Sequence, residues 1–171
     1  MVAKVKAGGI IRNERLAKIG IMSAPDRCGL ACDVLRALGD KDINVEFIVQ
    51  CIDLQDNSHI VFCVREDDFD ATLAALAPMK ATVRAEDIIH QCNIALVSVF
   101  GPDFRERPAI GAKVFEAMAS AGINIMAIST SISTVSCLID GDRVGRCCGS
   151  LAEALRAPLI CTRTGTSSQL P

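Results

Sequence analysis

The sequence predicts an α+β fold built as two βαββαβ modules in tandem, and three observations carry that expectation. The apolar positions of one helix face recur after 80 residues, Leu30, Val34, Leu35 and Leu38 returning as Ile110, Val114, Phe115 and Met118. The register persists beyond the helix: Ile43-Asn44-Val45 returns as Ile123-Asn124-Ile125, and Ile48 as Ile128, in segments whose Ile and Val content reads as strand. Half of the 171 residues are hydrophobic, enough to place a packed core under each copy.

In the first copy, residues 17–24 form a short apolar strand. Pro25-Asp26 then turns the chain into a helix that ends near Asp40, with Asp26 placed to accept from the first helical N–H groups as an N-cap. Residues 43–54 and 59–65 read as two strands around the turn formers Asp56-Asn57-Ser58. Asp67 and Asp68 open a second helix with Phe69, Leu73 and Leu76 on one face, and residues 81–89 return as a strand. The second copy repeats the order with strand 93–100, helix 108–121, strands 124–130 and 134–140, helix 142–157 and strand 159–162. Its first turn, 101–107, is several residues longer. The modules are thus 16–91 and 92–163, each a split βαβ unit whose four-stranded antiparallel sheet buries one face under two helices. Residues 5–12 are left as an additional edge strand, and the polar tail 164–171 is expected to be mobile. Modules this small bury little surface alone, so pairing with each other or with a second chain is the expected remedy.

Composition excludes several function classes. With 18 Lys and Arg against 20 Asp and Glu, and no run of like charge, no basic stripe is present to neutralise a row of phosphates, and nucleic acid is not an expected partner. Lys4 and Lys6 are followed by charge again before any continuous apolar stretch, and no segment amounts to a membrane span, so a cytoplasmic protein without membrane contact is expected. The nine cysteines form no CxxC pair and fall mostly in apolar stretches, which reads as reduced core thiols; vicinal Cys147-Cys148 is the pair that a redox role would use. Neither GxxxxGK[ST] nor GxGxxG occurs, and His59 and His90 lie in unrelated strands without a nucleophile ordered around them. No catalytic residue, cofactor or metal is expected.

What stands out is a set of polar residues where elements begin, next to apolar neighbours: Asp26, Asn44, Gln50, Asn124 and Ser129. They suit a small zwitterion, because a helix N-terminus offers N–H groups to a carboxylate while Asp26 and amide oxygens receive an ammonium group. Gly29, lacking Cβ, would admit the carboxylate to the backbone, and Ala109 holds the equivalent place in the second copy. Each also has a plainer role: Asp26 as a helix cap, Gly29 as turn geometry, Asn44 and Asn124 as turn residues entering a strand.

Three segments carry a specific resemblance: SAPDRCGLAC, INVEFIVQC and GINIMAISTSISTVS, preceded by GGIIRNERLAKIGIM. In this order they resemble the tandem ACT-domain regulatory region of aspartokinase over about residues 9–157. The resemblance implies two ferredoxin-like βαββαβ (ACT-type) modules that bind an amino acid, lysine or threonine, as a feedback effector of the aspartate pathway. It further implies a homodimer through the ACT modules, a kinase catalytic subunit as partner, and a leading strand paired with the second module. The effector-binding residues it implies are Asp26, Gly29, Leu30, Ala31 and Gln50 in the first module and Asn124 and Ile125 in the second. Departures from the family pattern are Cys28 for Pro, Cys51 for Asn, Ser58-His59 for Thr-Asp, and Ile132 for Glu. Those at Cys51 and Ile132 motivate an alternative reading: an ACT-like interaction scaffold, or a sensor of another pathway, that has lost or changed its ligand.

Overall fold

The computed structural model describes residues 7–101 and 109–163. Its elements are β1 (Gly9–Pro25), α1 (Leu30–Gly39), β2 (Phe47–Ile52), β3 (Asn57–Arg65), α2 (Phe69–Leu76), α3 (Met79–Thr82), β4 (Asp87–Phe100), α4 (Ala109–Ser120), β5 (Ala127–Thr130), β6 (Thr134–Asp140), α5 (Val144–Leu155) and β7 (Leu159–Arg163). The chain divides into two compact units, Leu16–Cys92 and a second that joins Met1–Arg15 to Asn93–Pro171.

In the unit Leu16–Cys92 the strand order is β2-β3-β1-β4. β3 is antiparallel to both neighbours, with Phe62 opposite Ile19 on one side and Ile48 on the other. Because strand side chains alternate, Ala17, Ile19 and Ile21 of β1 and Ile60, Phe62 and Val64 of β3 share one face, and all six are buried. Over that face lie Leu30, Val34 and Leu38, spaced four apart on α1, with Leu76 of α2 and the following Val83 and Ala85.

The other unit repeats the plan with the order β5-β6-β4-β1-β7. Its buried face is Ala95, Val97 and Val99 of β4 with Val135, Cys137 and Ile139 of β6, under Ile110, Val114 and Met118 of α4 and Cys147, Leu151 and Leu155 of α5. Here β1 contributes its first residues, Ile10 to Asn13, in parallel pairing with β7. Gly9, the first residue of β1, lies so close to Ile160 that a Cβ would stand 2.2 Å from its Cδ1, and the Ile160 side chain would have to shift to admit one.

Several elements differ from the sequence expectation. Residues 81–89 are not a strand: Met79–Thr82 is a helical turn, and β4 starts only at Asp87. The alternation of Ala81, Val83 and Ala85 imitates a strand, but Val83 and Ala85 are buried because a turn after α3 tucks them under the sheet, with Ala85 N donating to Lys80 O. β1 is a single strand of 17 residues rather than a short strand and a detached edge strand, the polar stretch Arg12–Arg15 having masked its continuity. β2 and β5 start three or four residues later than expected, at Phe47 and Ala127. Asp26 is not the N-cap of α1; Gly29 is, at φ 88°, and no side chain caps the helix. The turn between β2 and β3 falls at Asp53 to Asp56, so Asn57 and Ser58 are already in strand. The long turn 101–107, from residue 102 on, and the tail 164–171 lie outside the described residues, as do residues 5 and 6.

Phe62 is fully buried at the centre of its core, and Phe62→Ala leaves a cavity there. The expected loss is ~3–5 kcal/mol in urea unfolding, with the transition of that unit moving to lower denaturant. Gly141→Ala brings a Cβ within 2.9 Å of the Asn93 carbonyl oxygen, a backbone atom that cannot swing away, and is expected to destabilise by ~1–3 kcal/mol.

Candidate functional site

The hairpin between β2 and β3 is held by one carboxylate. Asp53 Oδ1 accepts the backbone N–H groups of Gln55 at 2.8 Å and Asn57 at 2.9 Å, an arrangement in which a short acidic side chain replaces a backbone turn acceptor. Its Oδ2 is 3.3 Å from Asn57 Nδ2 and 3.1 Å from His59 Nε2. These contacts, the Asn57 N–H first, hold the Asp53 carboxyl down at about 2. The other ring nitrogen, His59 Nδ1, accepts the backbone N–H of Ser23 at 3.3 Å. Three residues on, Asp26 N donates to Asp56 O at 3.0 Å. The loop that leaves β1 for α1 is therefore stitched to the hairpin tip at Ser23 and at Asp26.

Around this loop the structure gathers five of the residues singled out from the sequence. Asp26 is exposed, and its carboxylate has no partner among the described residues. Gly29 supplies the left-handed turn into α1, and its φ alone accounts for the glycine. Leu30 sends its side chain into the core, so only its backbone is available, while Ala31 is half-buried on the first turn. Arg27 folds back onto α1 through an ion pair with Asp33, both side chains remaining more than a third exposed. Gln50 stands on the rung of Ile60 and Ile21, on the helix-covered face of the edge strand β2. Its Nε2 donates to the buried Ser58 Oγ at 2.7 Å, which orients the amide.

The remaining two, Asn124 and Ile125, belong to the other unit, in the stretch before β5; Asn124 is exposed and Ile125 packs against the core of that unit. Asn44, the counterpart of Asn124, donates to Glu46 Oε1 at 3.2 Å. Ser129 is half-buried in β5, opposite Ser136. His90 packs against Phe69 with ring centroids 5.1 Å apart and the rings tilted by 57°. A groove of about 370 Å3 between α4 and α5, floored by Ala117 and flanked by Lys113, Glu116 and Glu153, contains none of these residues. Among the described residues no three His, Cys, Asp or Glu side chains gather as a metal site, and no helix is long and apolar enough to cross a membrane.

Eight of the cysteines are described as free thiols, four of them buried. Burial pushes Cys63 and Cys147 up to about 12 and Cys137 to about 11, and raises Cys148 as well. A thiol so shifted is not a nucleophile at neutral pH, which argues against redox chemistry at Cys147-Cys148. The residues that sequence reasoning missed are Asp53 and His59 acting together. Their signal was the spacing Asp53, Gln55, Asn57, His59, in which one acidic side chain precedes a polar turn and an alternating strand.

Each unit lays helices over one face of its strands, so that one βαββαβ plan is given twice. Comparison with known proteins agrees: models of the ACT domain match residues 19–82 and 97–155. The chain is 36 % identical over 128 residues to an aspartokinase of Thermus thermophilus and 30 % identical over 148 residues to that of Mycolicibacterium smegmatis, spanning about a third of each (31 % and 35 %). Among solved structures, the regulatory subunit of aspartate kinase from Thermus flavus is 30 % identical with a TM-score of 0.80, over 87 % of this chain and 98 % of that one. Aspartate kinase from Synechocystis matches at 27 % identity and a TM-score of 0.87, over 98 % of this chain and 30 % of that one. The chain belongs to the ACT-domain family, as a tandem regulatory region of the aspartokinase type.

The depressed carboxyl of Asp53 makes a pH prediction. A carboxylate lowered on folding contributes stability that is present above its unfolded value of about 4 and is lost as pH falls toward about 2. Asp53→Asn is expected to be less stable than the parent at pH 7, with the difference shrinking between pH 4 and 2, as read by urea unfolding at stepped pH.

Proposed function

We propose that this chain is an amino-acid-binding allosteric regulator of aspartate kinase, responding to lysine or threonine. In this reading it works in the cytoplasm, as a homodimer through its ACT domains, with a kinase catalytic subunit as partner. The observation that carries the reading is its match to the Thermus flavus regulatory subunit over 98 % of that chain. The chemistry of the loop supports it. An α-amino acid brings a carboxylate and an ammonium group; the uncapped first turn of α1 offers N–H groups and the positive end of the helix dipole to the former. The Asp26 carboxylate, unpaired among the described residues, and the side-chain carbonyl oxygen of Gln50 suit the latter. Regulation then follows from differential binding: an effector that favours one arrangement of the paired domains shifts the kinase by a coupling of ~1–3 kcal/mol.

Isothermal titration of the purified chain with a panel of free amino acids tests this. Saturable binding of lysine or threonine is expected, weakened about tenfold or more by Asp26→Ala (~1.4 kcal/mol). Absence of heat with every amino acid would overturn the effector role and favour the scaffold reading.

A further inference from the structure

The pairing of β1 with β3 runs in register from Leu16 opposite Arg65 to Ile21 opposite Ile60, and resumes at Ala24 opposite Ser58. Between these points β1 has two residues, Met22 and Ser23, where β3 has one, His59: a β-bulge. Ser23 takes a left-handed φ of 51°, which few non-glycine residues adopt, and the bulge removes its N–H from the ladder. A half-buried N–H without a partner is costly, and the one it finds is the imidazole of His59.

We infer that His59 is the positioning residue of the effector loop, fixing through the Ser23 bulge where Asp26 and Gly29 stand when an amino acid binds. This rests on the effector reading above. A backbone N–H can only donate, so Nδ1 of His59 accepts from Ser23, and the ring proton sits on Nε2, donated to Asp53 Oδ2. The ring is thus a rigid strut between a backbone donor on one side and a carboxylate on the other, and its tautomer is set by both. Asp53 is in turn immobilised by Gln55 and Asn57, so the strut is anchored in the hairpin rather than in the loop it holds. The second stitch, Asp26 N to Asp56 O, brackets Ala24 and Pro25, whose proline ring fixes one dihedral of the four-residue span. No side chain caps α1, and the loop is tied to the helix start by the Arg27–Asp33 ion pair, which lies after both stitches. A side chain at position 59 must therefore accept from an N–H and donate to a carboxylate at the two ends of a short planar group. Glutamine meets that requirement through its amide; alanine and leucine do not.

The test combines three forms of the full chain, the parent, His59→Gln and His59→Ala, with two readouts. Nitrogen-15 NMR of the parent is expected to show an unprotonated Nδ1 and a protonated Nε2, with slow amide exchange at Ser23 that His59→Ala abolishes and His59→Gln retains. Titration with the amino acid bound by the parent is expected to give about tenfold weaker affinity for His59→Ala and a value within about threefold of the parent for His59→Gln. A proton on Nδ1, or equal affinity in parent and His59→Ala, overturns the positioning role and leaves the effector reading standing. Equal loss in both variants also overturns it, since the amide then fails to restore what the strut is said to supply. A parent chain that binds no amino acid overturns the effector reading, and the positioning role falls with it.

Discussion

Each unit of this protein depends on one act of burial, the alternate residues of a central strand pressed against two helices. In one unit these are Ala17, Ile19 and Ile21, and in the other Ala95, Val97 and Val99. A strand has a side-chain period of two, so a slip of one residue would move each of these sets to the opposite face. The register is accordingly regular along β4 and β6, from Ile94 opposite Asp140 to Phe100 opposite Thr134. In the other unit it is regular up to Ile21 and then broken by one extra residue. The break comes just before the chain turns toward α1, and the one extra residue still returns Ala24 to the core. What burial leaves undetermined there is decided by polar groups, and Asp53, His59 and the Ser23 backbone make that decision.

The fold was legible because it rests on hydrophobic periodicity. Of the repeated face, Leu30, Val34 and Leu38 and their counterparts Ile110, Val114 and Met118 lie fully buried in both cores, whereas Leu35 is exposed and Phe115 only partly buried, and the strand read at 134–140 is β6. Where the reading failed, a local pattern imitated another element or a tertiary contact overrode it. Ala81, Val83 and Ala85 alternate like a strand, yet the backbone closes a helical turn there. Residues 12–15, RNER, carry too much charge to look like strand, yet β1 runs through them, with Arg12 and Asn13 paired to β7. Asp26 has the composition of an N-cap, whereas the bulge three residues earlier redirects the loop and leaves Gly29 at the cap position.

The site was legible only in its parts. Asp26, Gly29, Leu30, Ala31 and Gln50 could be named from motif words, and the structure places them on one loop, one helix turn and one neighbouring rung of the same unit. The hydrogen bonds that orient them were not visible, because Gln50 to Ser58 and His59 to Ser23 depend on register and on a bulge that no spacing announces. This division is physical: apolar residues reveal themselves by period, whereas a polar residue reveals its role only once its partner is in place. The same distinction separates the cysteines. Cys63, Cys137 and Cys147 are core residues whose thiols burial renders inert, while Cys28, Cys32 and Cys51 are exposed on the loop before α1, on α1 and beside Gln50.

The central claim is that an amino acid seated on this loop alters the behaviour of a kinase. The most direct measurement is the steady-state activity of a cognate aspartate kinase catalytic subunit across lysine and threonine concentrations, with and without this chain. A saturable change in activity that requires the chain, and that Asp26→Ala moves to higher amino-acid concentration, is the predicted result. A response to both amino acids that is the same with and without the chain would contradict it.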